Sequence, residues 1–385
     1  MKISELRKRE AYDEGLLSTL HAGVERMEKL GWDLPCGDKN VQWYLHPFFS
    51  VYVTESFGEA GRHFLREQYA HAPRVMRRIA QRLCVDVLSM GGVFRAALQP
   101  AFELCCCPDA CESMWMPGNH RMRYFNFARG YVRVFPKEGF SNAGILKEIE
   151  FRTRHQSKYP WIVPFKHVDV GTGVFEEPLL SMHPVNREPD AVRRQAGIEA
   201  AFGALQSLHQ LDARMVHPEA YLDFKREAYE RARDALREKF GGLDFGNVEQ
   251  MWSRSAKVIR EARNIEVSLT HGDFQPGNIL VGYDGGASMP FALIDWEDVG
   301  VRASVYDEMT FLLQSRAPRG LYNRLLQWRR RGNPGAYGLS CSPELAAALW
   351  SIEEWIWLCE TSSRPGILEI PHGLELHFRE IAKAR

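Results

Sequence analysis

The stretch HGDFQPGNIL, residues 271–280, places an acid, Asp273, two positions after His271 and an amide, Asn278, five positions further on. A segment of helix-forming composition lies behind it. Ahead of it, NILVG and FALIDW read as a pair of hydrophobic strands separated by the turn YDGGASMP. Asp295 stands just past the second of these strands.

An acid on a loop, a second acid just past a strand and an asparagine between them suit metal-assisted phosphoryl transfer. One carboxylate accepts or orients a hydroxyl proton, and hard oxygen ligands hold magnesium against phosphates. Asp273 fits the first role, Asn278 and Asp295 the second. A lone aspartate before a strand is more often a turn or capping residue. The HxDxxxxN spacing, followed by a strand and IDW, is far more specific.

The rest of the chain bounds this reading. At 385 residues and 44.2 kDa, two or three compact units are expected. Hydrophobic residues at 45% and charged residues at 25% are ordinary for a globular protein. Basic and acidic residues both total 49, so no net field draws the chain to nucleic acid. The N-terminal MKISELRKREAYDEGLL is a charged amphipathic helix pattern, and no run approaches about 18 uninterrupted apolar residues. The expectation is a cytoplasmic protein with no integral membrane segment and no nucleic-acid partner; the sequence carries no signal of oligomeric state. Four of eight cysteines crowd into CCCPDAC. Adjacent cysteines on a strand point to opposite faces and no paired CxxC occurs, so packed reduced thiols are favoured over a zinc site involving His120.

Apolar spacing predicts helices over 1 to about 30 and about 57 to 90, the second carrying Phe64, Leu65, Tyr69, Val75, Ile79, Leu83 and Val87. GDKN reads as a turn, and VQWYLHPFFSVYV as a strand or packed loop. From about 112 the texture becomes short strands: SMWM, a PGN turn, RMRYFNFA and YVRVF. GILKEIEFRTRHQ is helical with Ile145, Ile149 and Phe151 inward, and WIVPF, KHVDV and FEEPLLSM have strand composition. PDAVRRQAGIEAAFGALQSLHQL starts a helix at Pro189 or Asp190, two more helices precede the 271–280 motif, and the tail returns to helix.

The motifs HGDFQPGNIL and ALIDWEDVG, then Tyr306, Asp307 and Glu308 before a hydrophobic helix, resemble the aminoglycoside phosphotransferase and choline kinase family. These are small-molecule kinases with a protein-kinase-like fold. The upstream ALQSLHQL is similar to the helix preceding the family's catalytic half. The resemblance implies an α+β, two-lobe fold: a helical N-terminal extension over 1–111, a small antiparallel-sheet N-lobe over 112–184, and a mainly helical C-lobe over 185–385 carrying the catalytic and metal-binding loops. It implies ATP or GTP and Mg2+ as cofactors and a small-molecule hydroxyl as the acceptor, of aminoglycoside, sugar or amino-alcohol type.

By the same resemblance Asp273 orients the substrate hydroxyl, Asn278 and Asp295 bind magnesium, and His271 is a structural loop residue. Asp307 either braces the catalytic loop or is an ordinary N-cap. Arg133 of YVRVF stands where the family carries its strand cation, with Glu148 or Glu150 as helix partner; Lys137 and a solvated Arg133 are the alternatives. Gly118 and Asn119 supply the phosphate-side turn, and backbone groups from Leu180 through Met182 to His183 meet the purine edge.

Near the C-terminus SIEEWIWLCE offers Glu353, Glu354, Trp355, Trp357 and Glu360 to a cationic or sugar-like acceptor. The favoured reading is plainer: an amphipathic helix burying Trp355 and Ile356 with its glutamates in water. The basic run at Arg324 and Arg329 to Arg331 reads as a solvated loop. A nucleotide-binding pseudokinase with a regulatory role is the alternative function. The intact Asp, Asn and Asp set argues against it.

Overall fold

In the computed structural model the described residues are 3–9, 12–32, 37–69, 75–106, 109–241, 246–282, 290–331, 341–367 and 372–383. They form two compact units, one of residues 1–158 and 163–183, the other of residues 159–162 and 184–385.

The first unit contains α1 (Ile3–Arg9), α2 (Tyr12–Lys29), β1 (Gly37–His46), β2 (Val51–Val53), α3 (Glu59–Tyr69), α4 (Val75–Ser89), α5 (Gly91–Ala96) and β3 (Gln99–Cys106). Strands β4 (Ser113–Pro117), β5 (Arg121–Asn126) and β6 (Tyr131–Pro136) follow, then α6 (Ala143–His155), β7 (His167–Asp169) and β8 (Val174–Pro178). The eight strands make one sheet in the order β3-β1-β2-β4-β5-β6-β8-β7, every reported pair antiparallel.

Residues 1–111 are therefore not an appended helical piece. Three of their segments pair into the same sheet as 112–178, because aromatic and β-branched runs such as VQWYL and VYV bury Trp43 and Tyr52 completely. GDKN is the start of β1 rather than a turn, and a register shift between Gly37 and Asn40 absorbs its poor strand composition.

Both faces of the sheet are covered. Tyr12, Leu16, Leu20 and Met27 of α2 pack with Trp43, Tyr52, Trp115, Tyr124, Tyr131 and Phe135. On the opposite face Leu65, Phe94, Ile145 and Ile149 pack with Val51, Val53, Met114, Phe125, Val132 and Val134. The alternation of odd and even positions along β6 is the period of two that a pleated strand imposes. Ile145, Ile149 and Phe151 are buried, as their helical spacing indicates. On α4 the apolar stripe runs the other way: Met76 is 77%, Ile79 52% and Leu83 62% exposed, while Val85 faces inward. Spacing predicts that helix but not the direction its stripe faces.

After β9 (Met182–Pro184), at the boundary, the second unit contains α7 (Ala191–His209), β10 (Arg214–Val216), α8 (Pro218–Phe240), α9 (Gly246–Arg260), β11 (Ile265–Thr270), β12 (Ile279–Gly282), β13 (Phe291–Leu293) and β14 (Gly300–Ala303). Helices α10 (Tyr306–Leu312), α11 (Leu321–Arg331), α12 (Pro343–Ser363) and α13 (His372–Ala382) complete it. Asp190 caps α7 by accepting from the Arg193 amide at 2.8 Å. Strands β10, β11 and β14 form a small antiparallel sheet, and β12 pairs antiparallel with β13. WIVPF forms no strand; Ile162 makes a single parallel bridge to Leu293.

Helix α12 starts at the Ser342 cap with Pro343 in its first turn and runs through the centre of this unit's core, burying Trp350, Ile352, Trp355 and Leu358. Glu360 faces water as expected, but two of its other glutamates do not. Glu353 and Glu354 are both buried, which corrects the amphipathic expectation: a carboxylate goes inward when partners meet it there. Glu353 accepts from Tyr221 Oη at 2.9 Å, Lys225 Nζ at 2.8 Å and the Ala303 amide at 3.0 Å.

Among the described residues no helix is long and apolar enough to cross a membrane. Cys36, Cys107 and most of the turn YDGGASMP lie outside the described residues, as does the end of the basic run after Arg331. Cys84, Cys111, Cys341 and Cys359 are free thiols.

Candidate active site

Strand β11 carries the chain into the 271–280 loop, where Gly272 adopts φ +85°; a Cβ there would stand 2.1 Å from the Asp298 carbonyl oxygen. Only glycine satisfies both the backbone conformation and the close approach. Asp307, in the first turn of α10, accepts from the His271 amide at 2.6 Å and the Gly272 amide at 2.9 Å. The N-cap position of α10 is Val305. Asp307 is thus a loop brace rather than a cap. His271 is structural: its Nδ1 accepts from the Asp273 amide at 3.3 Å, so Nε2 carries the hydrogen and donates to the Ile294 carbonyl at 3.0 Å. Its ring lies 4.3 Å from that of Trp296.

The loop delivers Asp273 and Asn278 to each other. Asn278 Nδ2 donates to the Asp273 carbonyl at 2.9 Å and to Asp273 Oδ2 at 3.0 Å, and Gln275 Nε2 donates to the same Oδ2 at 2.9 Å. With Nδ2 committed, Asn278 has its amide oxygen to offer a cation. Because β12 and β13 are antiparallel, the start of one lies beside the end of the other. The Ile294 amide donates to the Asn278 carbonyl at 3.1 Å, and Asp295 follows directly. Asp295 sits in the left-handed region, φ 69°, a conformation that costs a non-glycine residue about 1–3 kcal/mol and clusters at functional positions.

The donor set fits magnesium. One carboxylate and one amide oxygen are hard ligands, and magnesium takes its remaining positions from water and phosphates. Among the described residues no three His, Cys, Asp or Glu side chains gather as a metal cage.

Sequence reasoning missed the residue that engages Asp273 most directly. Arg316, between α10 and α11, donates from Nε to Asp273 Oδ1 at 2.5 Å and pairs through its terminal nitrogen with Glu354 of α12. Its guanidinium carbon lies 3.5 Å from the centre of the Trp357 ring. Glu354 also accepts from Tyr306 Oη at 2.7 Å and lies 3.1 Å from His377 Nε2. Burial alone would keep Glu354 neutral; Arg316 foremost, with His377 and Tyr306, overrides it and holds the carboxyl down at about 2. Asp298 is likewise buried, and Arg364 and the Trp357 indole N–H, which donates at 3.0 Å, hold it at about 2. Among the described residues Glu308 has no arginine beside it, only His209 at 3.6 Å; burial and the adjacent Asp307 charge push it up to about 8.

In the first unit Arg133 and Glu148 are not partners. Arg133 shares the sheet face of Tyr131 and Phe135, where Nε donates to Glu176 Oε2 at 2.7 Å and the guanidinium lies 4.6 Å from the Tyr131 ring centre. Helix α6 packs on the other face, so the alternation along β6 turns Arg133 away from Glu148. Glu148 is met instead by Arg121 of β5 at 2.9 Å and Arg152 at 2.8 Å. Burial opposes its charge, yet the two arginines hold its pKa below the ordinary glutamate value. Glu150 pairs with exposed Arg154. Arg133 is buried, not solvated, and Lys137 is buried over the rings of Tyr12 and Phe140. Gly118 and Asn119 form the turn between β4 and β5, closed by the Gly118 amide donating to the Arg121 carbonyl at 2.8 Å. Leu180 is half-buried and Met182 buried on the segment after β8.

Residues 172–339, which hold the braced loop, its aspartates and Arg316, match the model of the phosphotransferase enzyme family. No curated protein matches the sequence. Among solved structures, the choline kinase LicA of Streptococcus pneumoniae is similar at 12% identity and TM-score 0.46, over 71% of this chain and 89% of that one. An aminoglycoside 2'-phosphotransferase solved as its GDP complex shows 14% identity and TM-score 0.44 over 70% and 91%. A Plasmodium vivax ethanolamine kinase shows 10% identity and TM-score 0.47 over 85% and 94%.

Proposed function

We propose that the protein is an ATP- or GTP-dependent, magnesium-assisted phosphotransferase acting on a hydroxyl of a small molecule, of aminoglycoside, sugar or amino-alcohol type. The carrying observation is the loop in which Asp307 fixes the backbone while Asn278 and Gln275 fix the carboxylate of Asp273. Asp273 aligns the acceptor hydroxyl and takes its proton as the new O–P bond forms and the bond from the γ-phosphorus to the bridging oxygen breaks; the nucleoside diphosphate departs. Asn278 Oδ1 and Asp295 would hold magnesium, which when bound neutralises charge on the nucleotide phosphates. Gly118, Asn119, Leu180 and Met182 are the proposed nucleotide-contacting positions. Arg121, as the cation paired to the α6 carboxylate, replaces Arg133 in that role; the pairing supports the exchange.

The test is phosphoryl transfer from labelled ATP or GTP into a fractionated small-molecule extract, with Asp273→Asn protein as the control. A product one phosphoryl group heavier, formed only by the wild type, is the expected result. Equal products from both proteins, or none while magnesium-dependent nucleotide binding is intact, would overturn the catalytic reading.

A further inference from the structure

The surroundings of Arg316 are those of a bound cation. Its guanidinium lies against the face of Trp357, between the carboxylates of Asp273 and Glu354, and its side chain is only 13% exposed. Each partner is itself fixed: Asp273 by Asn278 and Gln275, Glu354 by Tyr306. The turn before it holds Gln314 at φ 47°, which directs Ser315 and Arg316 inward. An indole face flanked by two ionised acids binds guanidinium and ammonium groups through ring electrostatics and charge.

We propose that Arg316 is a specificity-determining residue, a built-in occupant of this acid and aromatic site that closes it to cationic acceptors. The proposal rests on the reading of Asp273 as the residue that meets the acceptor hydroxyl. With the guanidinium in place, the charge of Asp273 and Glu354 is already answered. An ammonium group approaching the same carboxylate meets a fixed like charge. The acceptor is then a neutral polyhydroxylated molecule rather than an amino alcohol, recognised by hydrogen bonds. Arg316 also orients Asp273 through Oδ1, leaving Oδ2 toward the loop side where Asn278 stands.

The experiment is chemical replacement of the missing group in nucleotide-free protein, so its outcome does not depend on kinase activity. Arg316→Ala and wild-type protein are titrated with millimolar guanidinium chloride, with sodium chloride as the ionic control, while tryptophan fluorescence and Tm are followed. The expected result is saturable binding to the variant alone, with Tm raised by roughly 2 °C at ten times Kd. No binding by folded Arg316→Ala, or equal binding by the wild type, would overturn the proposal. Should the single variant not fold, Arg316→Ala/Glu354→Gln leaves one fewer buried charge unpaired and keeps Trp357 and Asp273; binding there and not in the wild type supports the proposal, and its absence in the folded double variant overturns it. Turnover of choline by the wild type, in the transfer assay, would also overturn it.

Discussion

Asp307 Oδ1 receives the Gly272 amide at 2.9 Å, and that one contact ties a helix start to the glycine on which the 271–280 loop turns. Asp307→Ala is expected to lower kcat about 10²-fold or more by loosening the loop, while circular dichroism stays that of a folded protein. An unchanged kcat in a folded variant would show that the loop holds its shape without the brace.

Gly272→Ala meets two penalties together, a left-handed backbone and a Cβ 2.1 Å from the Asp298 carbonyl. The expected destabilisation is about 3 kcal/mol or more, read from urea midpoints at constant m. A loss below about 1 kcal/mol would mean that the Asp298 backbone yields easily.

Asp273→Asn is expected to reduce transfer by at least about 10²-fold, with nucleotide affinity changed by less than about threefold. Asp295→Ala should instead abolish the difference between nucleotide binding with and without magnesium. Isothermal titration separates the two.

Glu308 carries a folded-state pKa raised to about 8 from an ordinary value of 4.5. The folded protein holds that proton more tightly than the unfolded chain, so the contribution of Glu308 to stability is present below pH 4.5 and lost as pH rises through about 8. Glu308→Gln should therefore gain on the wild type across this window, by an amount on the order of a few kcal/mol at pH 8.5. Parallel pH dependences for the two proteins would contradict the shift.

Glu148→Gln leaves Arg121 and Arg152 buried without their shared counter-charge. A loss of about 3–5 kcal/mol is expected. Adding Arg121→Met should restore part of it, and a double-mutant cycle with no coupling would deny that the two residues form a unit.

The meeting of Asp273 and Asn278 was legible because its parts are local: His271, Asp273 and Asn278 fall within eight residues, and the flanking strands declare themselves by composition. The helices were legible by period. What was hidden was pairing across distance. Sequence position pointed to Arg133 or Lys137 as the cation, and only the register of β5 against β6 and the side of the sheet that α6 covers bring Arg121 to Glu148 instead. Arg316 comes 43 positions after Asp273, in a loop with no periodic signal, and its partner Glu354 lies on another helix. β1 and β2 were concealed for a related reason: their run of aromatics reads equally as strand or packed loop until the neighbouring strands are known.

The eight-stranded sheet also separates what recurs between proteins from what folds. The family match begins at residue 172, just ahead of β8. In the sheet β8 lies between β6 and β7, both encoded earlier in the chain. A fragment cut to the recurring segment would keep β8 and lose the strands on both its sides, leaving the main-chain groups of β8 unpaired and its apolar side chains in water. The matched segment thus begins inside the eight-stranded sheet, and an expression boundary placed at residue 172 would fall within the structure that must close around it.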